Sequence, residues 1–468
     1  VRLKVGGAAA LALALAAPLG AGAMPLFELL GRGAEPTGGV RSVWLDPTAL
    51  RDDGVEVGVV WLQTSLDIAR DPRPLGYDVP DDVFDARLRT SAGTERLRLR
   101  PLPTSQLARG PEGESAARQF VVAGLTRSAL DGKLSFGLVA ALPLKHVQVQ
   151  SPFYADEREQ AFSNALHFER FGDRLDGTHV SAALTGRPLP WLVTSAGLAL
   201  QTRATSVAQV YLPDPSRPEV AQTNAGVRVE TTVAPYFGVA ASPLADTRSR
   251  LSLGVHLPSA SQVDGRTVIR FWDDSDGPSS QAFRFRYADQ PLRLTAAVDA
   301  ALPGDVVAHA TGRFVRWSQY RDRHDERPRG FEDVVEVDAG ARVALGAHGV
   351  GVGALYSPSP MPTQSGRESR VDNDRVGASG RWDWATPTPA GRVSLGVSAG
   401  AQWLLERVHL KSPQAQSPVL DELPEAVNLR TGAPFVGDAG VQTNNPGFPG
   451  YRSDGLVLVG ALSVTLQR

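Results

Sequence analysis

The chain has 468 residues with 48 Lys+Arg against 50 Asp+Glu, and its formal net charge of −2 excludes the basic footprint of a nucleic-acid binder. It holds no cysteine, which excludes disulfides, thiolate metal sites and cysteine nucleophiles. Forty-seven Gly and 35 Pro, with no long apolar run after the N-terminus, argue against a helical membrane bundle and for many strands and turns.

The first residues read as a processing signal. Arg2 and Lys4 form a short basic region, Gly6 to Leu19 is Ala/Leu-rich, and Ala21-Gly22-Ala23 is an A-x-A cleavage site. Residues 1–23 are therefore expected to be a signal peptide, and the exported chain to start at Met24. Residues 24–54 are irregular, yet they carry Phe27, Leu29, Leu30, Val43 and Trp44. That is too apolar for a simple tail, and a plug is expected there.

Strict alternation starts at Val55, where Val55, Val57, Val59 and Trp61 share a face. The first strand is expected over 55–69. A polar connection with a local hairpin near 87–100 follows, and then strands near 118–125, 133–149, 177–186 and 191–210. Further strands are expected over 227–239, 251–257, 283–298, 306–318, 331–345, 350–357 and 375–385. The stretch Val393–Trp403 puts Val393, Leu395, Val397, Ala399, Ala401 and Trp403 on one face. Ser394, Gly396, Ser398, Gly400 and Gln402 take the other. A last strand lies near 456–466, for about fourteen in all.

Taken alone, such strands fit a half-buried soluble sheet as well as a membrane wall turned inside out. The connections decide between them. They alternate long, short, long, short, which is the rhythm of an outer-membrane barrel with short periplasmic turns and long outer loops. The expected fold is all-β: a transmembrane antiparallel β-barrel of about 14 strands over 55–468, with the plug of 24–54 inside the lumen.

Sites for chemistry are sparse. The eight histidines are scattered, with no H-E-x-x-H spacing, no G-x-S-x-G elbow and no phosphate-binding Gly loop. His256 or His309 could serve an outer-membrane lipase, but a lumen-facing polar role is the simpler reading. Asp372-Asn373-Asp374 is too small a set for Ca²⁺. Arg321–Arg329 reads as solvated loop, with lipopolysaccharide phosphates as an alternative contact. No catalytic residue, metal or cofactor is expected. The connection 153–175 is different, because it gathers Phe153, Phe162, Leu166, Phe168 and Phe171 in a loop expected on the outside. It reads as loop-on-loop packing or as an apolar catchment for a hydrophobic ligand.

Ser42-Val43-Trp44-Leu45-Asp46-Pro47-Thr48-Ala49-Leu50 resembles the Asn-Pro-Ala hatch region of the FadL/TodX family of outer-membrane transporters for long-chain fatty acids and hydrocarbons. Arg316-Trp317-Ser318-Gln319-Tyr320 is similar to a Trp-containing strand end of that family. Tyr356-Ser357-Pro358-Ser359-Pro360-Met361-Pro362, followed by Val371-Asp372-Asn373-Asp374-Arg375, resembles its Ser-Pro-x-Pro … Asp-x-x-Arg segment. Asp46 stands where the family has Asn and Thr48 where it has Ala. The sequence ends Thr465-Leu466-Gln467-Arg468, without the terminal aromatic usual in outer-membrane barrels.

The resemblance implies passive outer-membrane uptake of long-chain fatty acids or similar compounds, with Asp46, Pro47 and Thr48 as the hatch motif. The ligand would bind at the outer loops and pass Phe27 and Trp44 on the way inward. Expected partners are hydrophobic small molecules, outer-membrane lipid and lipopolysaccharide, around a monomer. A general porin-like barrel and an outer-membrane lipase are the alternatives.

Overall fold

The computed structural model describes residues 25–30, 38–70, 87–90, 93–96, 112–144, 167–168, 178–201, 204–211, 222–242, 248–270, 279–321, 325, 327, 330–361, 364–365, 370–412 and 450–467. Its main body is one closed antiparallel barrel. The wall strands are β1 (Gly54–Arg70), β2 (Glu112–Ala129), β3 (Leu134–Pro143), β4 (His179–Leu189) and β5 (Leu192–Gln201). They continue with β6 (Thr232–Ala241), β7 (Arg250–His256), β8 (Arg293–Leu302), β9 (Val306–Val315) and β10 (Val334–Leu345). The wall finishes with β11 (His348–Ser357), β12 (Arg375–Thr388), β13 (Gly391–Ser412) and β14 (Gly450–Gln467). Each strand pairs with its chain neighbours, and β14 also pairs with β1, so the wall has no free edge. About fourteen strands were expected from the alternation, and the wall has fourteen.

Six short turns and the start of β1 share one rim, and the long connections share the other. One short turn, Pro303-Gly304-Asp305, holds Gly304 at φ 77° and Asp305 at φ 57°, the left-handed backbone that a tight hairpin needs.

The alternation sorts as a membrane wall requires. Leu253, Val352 and Leu462 point outward and are 60%, 57% and 57% exposed, far more apolar surface than water tolerates over a whole wall. Along β13, Leu395, Val397 and Trp403 face out, while Gly396, Ser398 and Gln402 are buried on the lumen side. Trp191, Trp382 and Trp384 stand outward near the short-turn rim, where an interfacial aromatic girdle belongs. The apolar belt is that of an outer-membrane-type barrel.

One region differs from the sequence reading. Single strands were expected over 191–210, 227–239 and 283–298, but each is broken. Beyond β5, β6, β7 and β8 the chain continues as a separate four-stranded sheet of Ala204–Tyr211, Gln222–Val229, Ser259–Arg270 and Ser279–Gln290. Pro258 and Pro291 sit in two of the breaks, and neither has an N–H to give to a ladder. Four adjacent wall strands thus lose their pairing at neighbouring positions.

Candidate functional site

The lumen is occupied by the chain's own N-terminal segment. Its local structure follows from Asp46-Pro47-Thr48. Asp46 caps a 3-10 turn, Pro47–Ala49, by accepting the Thr48 N–H at 3.1 Å, and Pro47 fills the first position, where its missing N–H costs nothing. A single helical turn, α1 (Ser42–Leu45), precedes it, and another 3-10 turn spans Pro25–Leu30. Near the short-turn rim the segment is tied to the wall. Arg41 pairs with Glu56 at 2.9 Å, the Thr185 hydroxyl donates to the Pro47 carbonyl at 2.6 Å, and Arg187 donates to the Leu50 carbonyl.

One half of the lumen is apolar. Leu26, Val43, Trp44 and Leu50 of the segment pack against side chains such as Leu62, Phe120, Val139 and Val459 from β1, β2, β3 and β14. Trp44, 2% exposed, meets Tyr236 edge-on at 5.7 Å and His256 at 4.6 Å. Tyr236 and His256 stack at 5.0 Å, and the Tyr236 hydroxyl donates to the Val43 carbonyl at 2.6 Å. Two wall glycines make room. A Cβ on Gly197 would lie 2.2 Å from the Tyr236 ring, and one on Gly137 would lie 2.5 Å from a Val43 methyl.

The other half is charged, in two rows. The lower row starts at Asp46, which pairs with Arg250 of β7. Arg250 also reaches Asp299 of β8 at 3.2 Å. Asp299 lies 2.7 Å from His309 Nδ1 on β9, and His309 Nε2 lies 2.7 Å from the Thr311 hydroxyl and 3.4 Å from Asp338 on β10. The side chains of the four wall residues and of Asp46 are only 6–8% exposed. Register builds this row, since Arg250 is paired with Asp299, Asp299 with His309, and Thr311 with Asp338.

The upper row starts at Glu28, which accepts the Trp44 indole N–H at 3.0 Å and pairs with Arg293. It continues through Arg313–Glu336 at 2.8 Å and through Arg375, which donates to Ser357 and Gln402. Gln402 donates back to the Leu29 carbonyl at 2.7 Å. Between this row and the segment lies a cavity of about 80 Å³, lined by Glu28, Leu29, Arg293, Arg313, Glu336 and Arg375 among others.

The residues singled out from the sequence fall in three groups. Trp44, Asp46, Pro47 and Thr48 come together inside the lumen. Phe27 lies on the first 3-10 turn and Phe168 in a two-residue strand paired with Arg370 and Val371, but their side chains lie outside the described residues. Phe153, Phe162, Leu166 and Phe171, and the signal peptide of residues 1–23, lie outside them as well. Asn373 donates to the Leu405 and Ser453 carbonyls at 2.9 and 2.6 Å, and Asp374 accepts from the Ser359 N–H, so both are engaged in packing the outer rim. Arg321 and Asp325 are tied to the outer sheet through Asp289 and Arg286.

Among the described residues no group of His, Asp and Glu is placed to hold a metal ion. The sequence reading missed Arg250, Asp299, Asp338, Arg293 and Arg313 as a set. The available signal was a charge on the lumen-facing phase of an alternating strand.

No family model matches the chain, and a search of curated proteins finds no match. Solved structures do resemble it. A Pseudomonas aeruginosa FadL homologue aligns over 94% of this chain and 97% of its own, at 14% identity and a TM-score of 0.56. The P. putida toluene transporter TodX aligns over 96% and 99%, at 10% identity and a TM-score of 0.46. The monoaromatic hydrocarbon channel CymD aligns over 96% and 98%, at 11% identity and a TM-score of 0.43. With fourteen antiparallel strands closed around an N-terminal segment, the chain has the fold of a FadL-like outer-membrane barrel.

Proposed function

We propose that the chain is a passive outer-membrane transporter for long-chain fatty acids or similar hydrophobic compounds, with the N-terminal segment as its hatch. The filled lumen carries this reading. A general porin needs an open aqueous bore. Here the segment is wedged between two half-walls, and the space beside it in the upper charged row is about 80 Å³, room for only a few waters. The apolar half of the lumen suits a hydrophobic solute. Phe153, Phe162, Leu166, Phe168 and Phe171 form the outer catchment, and Phe27 and Trp44 lie further along the route. The break across β5–β8 is where the ligand leaves sideways. No covalent step is required, and differential affinity along the path sets the direction.

Uptake of a fluorescent long-chain fatty acid by cells carrying the full chain tests the reading. Phe162→Asp with Leu166→Asp should lower uptake severalfold while the purified barrel keeps its heat-modifiable mobility. Undiminished uptake would remove the catchment. Large, steady conductance of the unmodified chain in a planar bilayer would favour the porin instead.

A second reading has one observation behind it. Thr311, His309 and Asp299 stand in the hydrogen-bond order of a nucleophile, a base and an orienting carboxylate. Thr311 is only 4% exposed, however, so a lipid ester cannot reach it while the segment is seated. Ester hydrolysis that Thr311→Val abolishes would establish the enzyme.

A further inference from the structure

The lower charged row has more acid than base. Asp46, Asp299 and Asp338 are set against Arg250, with His309 between two of the carboxylates. Arg250 is shared. One carboxylate belongs to the segment and the other to the wall, and both draw on the same guanidinium, which sits out of water where such pulls are strong. The charge state of Asp299 therefore bears on how firmly Arg250 holds Asp46. His309 sits against the other oxygen of that carboxylate: its Nδ1 is 2.7 Å from Asp299 Oδ1, while Arg250 takes Oδ2.

Two further groups face His309. Asp338 approaches from β10 and the Thr311 hydroxyl from its own strand. Arg313, two residues further along β9 from Thr311, is paired with Glu336. With a neutral imidazole, Nε2 accepts from Thr311 and both wall carboxylates keep their full charge. With an added proton, Nε2–H becomes a donor toward Thr311 and Asp338, and the imidazolium compensates Asp299.

We infer that proton uptake by His309 tightens the hatch, by satisfying Asp299 and leaving Arg250 to Asp46, and that proton loss loosens it. This regulation rests on the hatch reading above. The row acts as a sensor across four wall strands, β7 to β10, and the segment is the element it biases.

Open-state probability of the full chain in a planar bilayer, measured from pH 8 to pH 5.5, reads the hatch whatever the substrate. It should fall at least fivefold on acidification, the low end of coupling between two sites. The fall should occur within that pH range. His309→Gln should stay at the loose, alkaline level at every pH. Asp299→Asn should stay at the tight, acid level at every pH. Opposite plateaus from two neighbouring substitutions are not the signature of a merely damaged barrel.

A pH profile of His309→Gln that matches the unmodified chain would overturn the inference, as would a profile that rises on acidification. Arg250→Gln should open at every pH, and if it stays closed throughout, this latch does not gate the segment. Failure of the hatch reading looks different, because the unmodified chain then conducts steadily at every pH.

Discussion

The two halves of the lumen hold the same segment by different physics. Against β14 and β1–β6 the core of the contact is apolar, with Trp44, Val43 and Leu50 fitted to Tyr236 and to the bare backbone at Gly137, and the polar ties from Glu56, Thr185 and Arg187 gather near the short-turn rim. Against β7–β12 the contact is ionic, with Asp46 facing Arg250, which Asp299 also claims, and Glu28 paired with Arg293. An apolar contact is roughly indifferent to ionic conditions and strengthens with area. A buried ion pair contributes little net stability, yet removing one partner is costly. On the proposed hatch reading, the apolar half therefore decides where the segment sits, and the charged half decides how readily it leaves.

Substitutions can break that division. Trp44→Ala should have the largest effect, weakening docking by about 4 kcal/mol as a buried aromatic is deleted. Protease access to the N-terminal segment would report it, with the barrel still heat-modifiable. Arg250→Gln should cost about 3 kcal/mol, because two carboxylates are left buried without their cation. Adding Asp46→Asn and Asp299→Asn should recover most of the urea stability but not the closed state. If the triple variant closed as tightly as the unmodified chain, the charged half would be no latch.

Gly197→Val comes next, at about 2 kcal/mol, since it drives a side chain into the Tyr236 ring and dislodges the hydroxyl from the Val43 carbonyl. Its effect should appear as a mobile segment in a barrel that still assembles.

The smallest effect lies outside both halves. On the outer sheet, the hydrogen bond from Arg284 holds the Asp264 carboxyl below its usual value. A depressed carboxylate stabilises the fold above its unfolded value, and that contribution is lost as pH falls through the folded one. Arg284→Gln should shift only the acid opening of that sheet, read by hydrogen exchange, and leave hatch conductance unchanged. A change in conductance would show that the outer sheet is coupled to the lumen.

Much of the wall was legible in the sequence, because a period of two and alternating loop lengths are local signals. Val393–Trp403 exposes its apolar row and buries Ser398 and Gln402 as its pattern requires. Asp46-Pro47-Thr48 was legible too, since a cap and a proline define a turn within three residues. The ladder was not. Arg250 and Asp299 lie 49 residues apart and meet only through register, which turns fix and composition does not reveal. The broken strands were missed for a related reason. The apolar phase slips from Phe283, Phe285 and Tyr287 to Leu292, Leu294 and Ala296 across Pro291, but the lost ladder bonds show only when the neighbouring strands are in place.

The central claim is that the N-terminal segment is a movable hatch. The cysteine-free chain allows a direct test. Val43→Cys with Gly137→Cys would place two thiols where a Gly137 Cβ would lie 2.5 Å from a Val43 methyl, so that oxidation staples the segment to β3. Fatty-acid uptake measured with and without reductant then decides. The oxidised protein should take up no ligand, and reduction should restore uptake to the level of the unmodified chain. Equal uptake in the two states, with the crosslink shown to be complete, would contradict it.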